Sequence, residues 1–367
     1  MPFMSTAETN LLSNVDRLVA HLERDIRRRR LVAGDKYMTA SEAGTMLGVS
    51  TASADRAMQI LCRRRMLLRR RSLGTFVGPH FKMPQNTAIR TVYVILPDAR
   101  RSLMEDILAL NPFVMGLRSR FCDANVQLSF PPNSDTIGYV SQLLGSSASV
   151  DNAAGFVPVS CPSEIYRRLA DSGVPTVIFG TPYSDQQDIA SVDTDDHASG
   201  RLLAEHLIGH GHRRIALFTW PDGRPGDNCF YDGISEALTS ASLPHNSLIP
   251  RIVHRNLSAV AAELDRLLAL GDAPTALIVR TSAMAKVATT AFDQLEVSVG
   301  RRCEIVCQAE WTETTEEHKP LPFTHTRSQV SIETMAVRIG EMLEQLVRGE
   351  ALESPHVVFP VELCRVT

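Results

Sequence analysis

Three runs of arginine occur in the N-terminal part of the chain, at positions 27–30, 63–65 and 69–71. A guanidinium group stays charged at physiological pH and binds phosphate oxygens through two parallel N–H bonds. Residues 1–90 carry 16 Lys and Arg against 7 Asp and Glu, a net +9, so the rest of this chain of net charge −3 carries −12. The asymmetry predicts a basic head that binds a polyanion and an acidic body that does not.

A group of carboxylates in the body could serve a metal or acid-base chemistry. Asp193, Asp195 and Asp196 lie together where a predicted helix begins, and the helix dipole favours negative charge there without any ligand. The chain has no G-x-S-x-G, Walker, G-x-G-x-x-G or zinc-protease motif. An enzymatic body is therefore the weaker hypothesis, and we expect no catalytic residue, metal or cofactor.

Imidazoles and thiols are the other groups that could bind a metal. The histidines of one segment lack the spacing of a zinc-binding motif, and we interpret them as structural: His197, His206, His210 and His212. The seven cysteines are scattered and odd in number, which is typical of reduced thiols. Only Cys303 and Cys307 are close together, in an apolar run that favours a core strand over a metal site.

The elements that carry the arginines form a recognisable series. Apolar residues three and four apart predict an amphipathic helix over 10–30. Thr39 and Glu42 have the spacing of a capping box, which predicts a second helix to about residue 47, and Ser50 opens a third. Apolar and polar residues alternate on either side of a turn within residues 67–77, which predicts a hairpin. Together these elements predict a winged helix-turn-helix over residues 1–78, followed by a linker over residues 79–90.

The helix-turn-helix predicts duplex DNA as the polyanion. The start of the third helix can enter a major groove while the hairpin, or wing, contacts phosphates. The alternative, solvated arginine faces on a protein-interaction domain, is weaker because the runs fall at two helix ends and on the wing. We expect the DNA-contacting residues to be Thr39, Ser50, Thr51, Ser53, Arg56, Arg69, Arg70, Arg71 and Thr75.

Residues 91–367 alternate between apolar strand-like runs and amphipathic helical ones, which predicts an α/β body with parallel sheets. Its length favours two lobes, and ligands of such sheets bind beyond the carboxyl ends of the strands. Trp220 could stack on a ring-shaped ligand or equally belong to the core. We expect the effector-binding residues to be Asp98, Tyr183, Trp220, Phe230, Arg280, Thr281 and Glu310.

Two resemblances agree with this division. Gly34 and Asp35 before the second helix, GVS at the turn and GTFV closing the wing resemble the GntR-type winged helix. In that family two arginines usually lie early in the third helix, where this chain has Thr51 and Asp55. The run SVDTDDHASGRLLAEHLIGHGHRRIALF, with DGISEAL, PTALIVRTSAMA and FPVELCR after it, resembles the effector domain of LacI/GalR regulators.

The combined layout is similar to arabinose-repressor-type proteins, and it implies a homodimeric repressor with a small-molecule effector between periplasmic-binding-protein-like lobes. Sugar-binding relatives carry an Arg, an Asn-Asp pair and an Asp where this chain has Phe230, Thr281 with Ser282, and Ala309. An alternative is a cleft that binds no sugar and serves protein contacts. The chain lacks a secretory signal and a membrane-spanning apolar run, so we expect a cytoplasmic protein without a membrane partner.

Overall fold

The structure is a computed structural model. It describes residues 15, 18–19, 21–23, 25–26, 29, 31–81, 89–96, 110–131, 135–147, 153–221, 223–254, 256–299, 303–309 and 321–366. Within these ranges, no helix combines the length and the apolarity needed to cross a bilayer.

The head contains the two helices of the helix-turn-helix and a small antiparallel sheet. Its elements are β1 (Lys36–Tyr37), α1 (Ala40–Leu47), α2 (Thr51–Arg63), β2 (Leu67–Arg70) and β3 (Gly74–Val77), with sheet order β1-β3-β2. Gly48 ends α1 with φ of 63°, a left-handed conformation that glycine adopts without strain. These elements include the predicted second and third helices and the predicted hairpin.

Part of the predicted first helix also belongs to the head. The described positions between 15 and 26 are helical, while most of the predicted range 10–30 lies outside the described residues. Val19, Leu22 and Ile26 are buried against Met58 and Leu61 of α2 in one apolar cluster. Burial of these apolar side chains holds the first helix against α2 and the small sheet.

The boundaries at 78 and 91 remain predictions, and two observations bear on them. Phe81 is buried in the apolar cluster of the head, and the amide of His80 donates to the carbonyl of Arg65 at 3.1 Å. The first strand of the body begins at Ile89, and residues 82–88 are not described. The chain that joins head to body is therefore shorter than 79–90.

The first lobe of the body is a parallel sheet with helices on both faces. Isolated bridges join two three-stranded sheets into the order β5-β4-β6-β7-β8-β14. Its strands are β4 (Ile89–Ile95), β5 (Asn125–Ser129), β6 (Ala153–Pro158), β7 (Val177–Phe179), β8 (Ala190–Thr194) and β14 (His356–Phe359). Its helices are α3 (Asn111–Arg120), α4 (Thr136–Ser147), α5 (Ser163–Ser172) and α10 (Ile332–Val347).

The second lobe has a six-stranded sheet of order β10-β9-β11-β12-β13-β15, parallel except for β15. Its strands are β9 (Ile215–Thr219), β10 (Leu248–Ile252), β11 (Ala276–Val279), β12 (Glu304–Gln308), β13 (Thr324–Ser328) and β15 (Val361–Cys364). Its helices are α6 (Asp196–Gly209), α7 (Pro225–Ser240), α8 (Leu257–Leu268) and α9 (Ser282–Val299), packed on both faces. The predicted two-lobed α/β class is confirmed.

The chain passes between the lobes three times, from β8 to α6, from β13 to α10 and from β14 to β15. The first crossing is the segment VDTDD that the sequence singled out. It carries Asp193 at the end of a first-lobe strand and Asp196 at the start of a second-lobe helix. Polar side chains of this crossing therefore lie beside the carboxyl ends of the second-lobe strands.

Candidate functional site

The N-terminal turn of α2 presents polar side chains to solvent. Ser50 caps the helix, and its hydroxyl accepts from the amide of Ser53 at 3.1 Å. The hydroxyls of Ser50 and Ser53 are 2.9 Å apart, and Thr51 and Arg56 are exposed nearby. A serine cap satisfies an otherwise unpaired helix amide and leaves the first turn open to a partner.

The wing presents an exposed cationic edge. Arg69, Arg70 and Arg71 are all exposed at the end of β2 and in the turn that follows. The Arg70 guanidinium lies 5.0 Å from the centre of the Phe76 ring, which supports its side chain on the hairpin. Arg69 donates to a carboxylate oxygen of Asp55, an ion pair that sequence reasoning missed because the two residues are distant in the chain.

Two threonines of the predicted interface are placed very differently. Thr39 is exposed and completes the predicted capping box, with its amide donating to Glu42 Oε2 at 2.7 Å. That bond, and the one from the Thr39 hydroxyl, lower the pKa of the Glu42 carboxyl. Thr75 is only 6% exposed within β3, which leaves it no surface for a phosphate contact. The burial of Thr75 argues against the predicted contact of this residue with DNA.

In the body, a network of charged side chains lies at the carboxyl ends of the second-lobe strands. Arg280 follows β11 and donates to Asp196 Oδ2 at 2.8 Å and to Asp227 Oδ1 at 2.8 Å. A third donation goes to Gln308 Oε1 at the end of β12, and Gln308 Nε2 donates to Asp196 Oδ1 at 2.9 Å. Four residues from four elements thus satisfy one another in a mostly buried site.

A second buried carboxylate adjoins this network. The hydroxyl of Thr181 donates to Asp193 Oδ2 at 2.6 Å, and the amide of Thr194 donates to Oδ1 at 2.8 Å. Burial raises the pKa of Asp193 to about 7, and the neighbouring charge of Asp196 adds to the effect. Asp193 is therefore partly protonated near neutral pH, and its hydrogen-bonding character changes there.

Of the predicted effector residues, the structure brings Arg280 and Phe230 together. Phe230 is fully buried, with its ring centre 5.0 Å from the Arg280 guanidinium carbon, so it supports the arginine and does not face a ligand. Trp220 is 7% exposed in the second-lobe core. Trp220 therefore fits its alternative interpretation as a core residue, and the buried Phe230 also lies in the core.

The remaining predicted effector residues do not converge on Arg280. Thr281 accepts from the amide of Met284 at 3.2 Å at the start of α9, a capping role. Tyr183 is partly buried and packs against Tyr166 in the first lobe, with ring centres 5.7 Å apart. Asp98 and Glu310 lie outside the described residues. Sequence reasoning missed Asp227 and Gln308, which carry no local motif.

The charges of the network limit the ligand that it could accept. Arg280 is already paired with two carboxylates, so an anionic ligand would have to displace one of them. The partly protonated Asp193 adjoins these two carboxylates, and a second arginine, Arg224, precedes α7 and acts electrostatically on Tyr183. A neutral polar ligand is therefore better suited to this network than an anion.

Comparison with known proteins agrees with the observed architecture. Residues 204–365 match the model of the family described as the periplasmic binding protein-like domain. The body has that fold. The matched range begins within α6 and covers most of the second lobe together with α10 and β14.

Similar proteins include transcription regulators. The HTH-type transcriptional regulator CelR of Thermobifida fusca is 25% identical over 197 residues, which are 53% of this chain and 56% of that protein. The chain thus aligns with little more than half of the length of that curated relative.

Among solved structures, the transcriptional regulator CelR in complex with cellobiose has a TM-score of 0.60 at 18% identity, covering 89% of this chain and 98% of that one. A LacI family regulator from Enterococcus faecium with bound ribose has a TM-score of 0.58 at 19% identity, covering 75% and 97%. At these identities the likeness concerns the fold.

Proposed function

We propose that this protein is a LacI-like transcription regulator that binds duplex DNA through its head and a small-molecule effector between its two lobes. The observation that carries the proposal is the joining of a helix-turn-helix with an arginine-bearing wing to a two-lobed periplasmic binding protein-like body. Its relatives include proteins named as transcription regulators, and none of the relatives described above is named as an enzyme. We infer that the protein represses transcription.

The head is proposed to be of the GntR type. Support comes from the hairpin β2–β3, its pairing with β1, and the motif GTFV that forms β3. The family model that matches the body begins at residue 204 and does not cover the head. A homodimer is proposed because two recognition helices about 34 Å apart can read a palindromic operator.

The contacts divide by their expected role. Ser50, Thr51, Ser53 and Arg56 lie at the start of α2 and would reach base edges or the nearest phosphates. Arg70, Arg71 and, once released from Asp55, Arg69 would contact phosphates from the wing. The first group would set sequence preference, and the second would set overall affinity and its salt dependence.

The effector is proposed to be a neutral polar small molecule bound at the carboxyl ends of the second-lobe strands. Closing the lobes on it would change the spacing of the two heads, which is a shift between two populated states. Cellobiose and ribose, the ligands in the names of the similar structures, are the first compounds to test. If the Arg280 network accepts no ligand, the alternative is favoured, namely a regulator that acts through protein contacts.

Two measurements on the full-length protein test the proposal. Selection from randomised duplex DNA should enrich a palindromic sequence, and the loss of enrichment after Arg56→Ala would tie it to α2. A thermal shift panel of neutral sugars, sugar acids and polyamines should then identify a stabilising compound that also alters DNA affinity. Failure to enrich any sequence would contradict the proposal of a sequence-specific regulator. DNA binding without any stabilising compound would contradict only the proposal of a small-molecule effector.

A further inference from the structure

Three histidines surround one glutamate at the end of the second lobe that faces away from the Arg280 network. His206 lies in the last turn of α6 and His210 caps the carboxyl end of that helix, with the two ring centres 4.1 Å apart. His212 follows in the turn after the helix, and Glu304 is the first residue of β12. The helix, the turn after it and the strand thus bring these four side chains together.

The distances within this group are short. His206 Nε2 lies 3.1 Å and His210 Nδ1 lies 3.2 Å from Glu304 Oε1, while His212 Nε2 lies 2.9 Å from Oε2. One ligand atom each from His206, His210 and Glu304 lies within 4.8 Å of the other two. Zinc ligands at about 2.1 Å in a tetrahedron are roughly 3.4 Å apart, so small side-chain movements would close the site.

The surroundings also suit a bound ion. The His206 side chain is only 3% exposed, whereas that of His210 is 53% exposed, so the site has a buried base and an open mouth. His212 Nε2 bonds the second carboxylate oxygen of Glu304, and its Nδ1 lies 2.8 Å from the Thr275 hydroxyl, so this histidine orients the carboxylate. Metal-binding carboxylates are usually held by such a hydrogen bond.

We propose that His206, His210 and Glu304 form a binding site for Zn²⁺ or a similar divalent transition-metal ion, with His212 orienting the carboxylate. Two imidazole nitrogens and one carboxylate oxygen are a donor set that zinc, nickel and copper accept, and one that magnesium and calcium do not favour. Arg365 lies close enough to influence His206 electrostatically, and Glu304 supplies the compensating negative charge.

A bound ion would join two elements that also contribute to the cleft. α6 carries Asp196 at its first residue, and β12 carries Gln308 at its last. The proposed site holds the opposite ends of both, about 15 Å away along the helix and about 13 Å away along the strand. The ion would therefore fix α6 against β12 and stabilise the second lobe, independently of any effector.

The test uses the full-length protein, freed of metal with a chelator and titrated with ZnCl₂ by calorimetry. We expect one ion per chain, a rise in melting temperature, and at least a tenfold weaker dissociation constant for His210→Ala and His210→Gln. The matched control is His197→Ala, a half-buried histidine of α6 that pairs with Glu236 at 3.1 Å outside the group. It should bind zinc like the unmodified protein.

Cobalt distinguishes this site from the seven cysteines. Co²⁺ bound to nitrogen and oxygen ligands should show visible d–d bands without thiolate charge-transfer bands, and His210→Ala should remove them. The proposal would be overturned by the absence of stoichiometric zinc binding, by equal binding in His210→Ala, or by a thiolate spectrum. Because His210 is exposed, both variants should keep the native circular dichroism spectrum.

Discussion

Arg69 of the wing is paired with Asp55 of α2, so the two elements proposed to face DNA are joined by an ion pair across a separation of 14 residues. The pair holds the hairpin against the helix and neutralises one of the wing's three arginines. It also places a carboxylate beside the expected path of the phosphates. Removing that carboxylate should release Arg69 for a phosphate.

Asp55→Asn is therefore expected to tighten binding to non-specific duplex DNA. One additional neutralised phosphate steepens the slope of log K against log salt by about 0.9. Fluorescence anisotropy over a salt series measures both quantities. The control is Asp185→Asn, which removes a carboxylate from an exposed ion pair with Arg167 in the first lobe. Unchanged affinity and slope in Asp55→Asn would argue against a DNA-facing wing.

Arg70→Ala and Arg71→Ala should each weaken binding to every sequence by a similar factor and reduce the salt slope by about one. Arg56→Ala should instead lower affinity most for the preferred sequence. The comparison of selected with randomised duplexes separates the two effects. Equal losses on both kinds of duplex for all three variants would show that Arg56 is a phosphate contact.

Arg280→Met is expected to destabilise the second lobe, because it leaves Asp196 and Asp227 close together without their shared cation. Breaking one side of a buried ion pair costs about 3–5 kcal/mol. Arg266→Met is the control, since that side chain is 72% exposed and its pair should contribute less than about 1 kcal/mol. Urea unfolding measures both, and equal midpoints would contradict the buried network.

The carboxyl of Asp193 should make stability depend on pH. Its pKa, ordinarily 3.8, is about 7 in the folded protein because of burial and the charge of Asp196. The folded state therefore keeps a proton that the unfolded state releases, and this contribution to the free energy of unfolding falls as pH rises from about 4 to about 7. Asp193→Asn should remove that part of the slope and be relatively more stable at pH 8.

Thermal melting from pH 5 to pH 8 tests this, with Glu205→Gln as a control that removes an exposed carboxylate of α6 paired with Arg201 at 2.8 Å. The control should keep the slope of the unmodified protein. A slope that Asp193→Asn leaves unchanged would mean that Asp193 is ionised throughout this range.

The packing of α6 on α7 depends on a glycine contact. A Cβ at Gly200 would lie 2.1 Å from the carbonyl oxygen of Phe230, whereas a Cβ at Gly209 of the same helix would meet nothing within 4 Å. Gly200→Ala should therefore cost about 1–3 kcal/mol by forcing the helices apart. Gly209→Ala should be neutral or stabilising by up to about 1 kcal/mol. Chemical denaturation of both variants gives the comparison, and a neutral Gly200→Ala would contradict the close crossing.

Local features were predictable from the sequence because their hydrogen bonds join residues close in the chain. Thr39 with Glu42 and Ser50 with Ser53 are caps whose spacing alone defines them. The alternation of apolar and polar residues over 67–77 likewise predicted the wing. The alternation of strands and helices in the body predicted its α/β fold class. Periodicity reports which face of an element is buried, which is enough to infer layers and lobes.

The sites were decided by the tertiary structure, because their members come from elements far apart in the chain. Arg280 meets Asp196 across 84 residues, and Glu304 meets His206 across 98. No spacing rule applies over such distances, since sheet order determines which strand ends become neighbours. Phe230 and Trp220 show the same limit, because only packing determines whether an aromatic ring faces a ligand or the core.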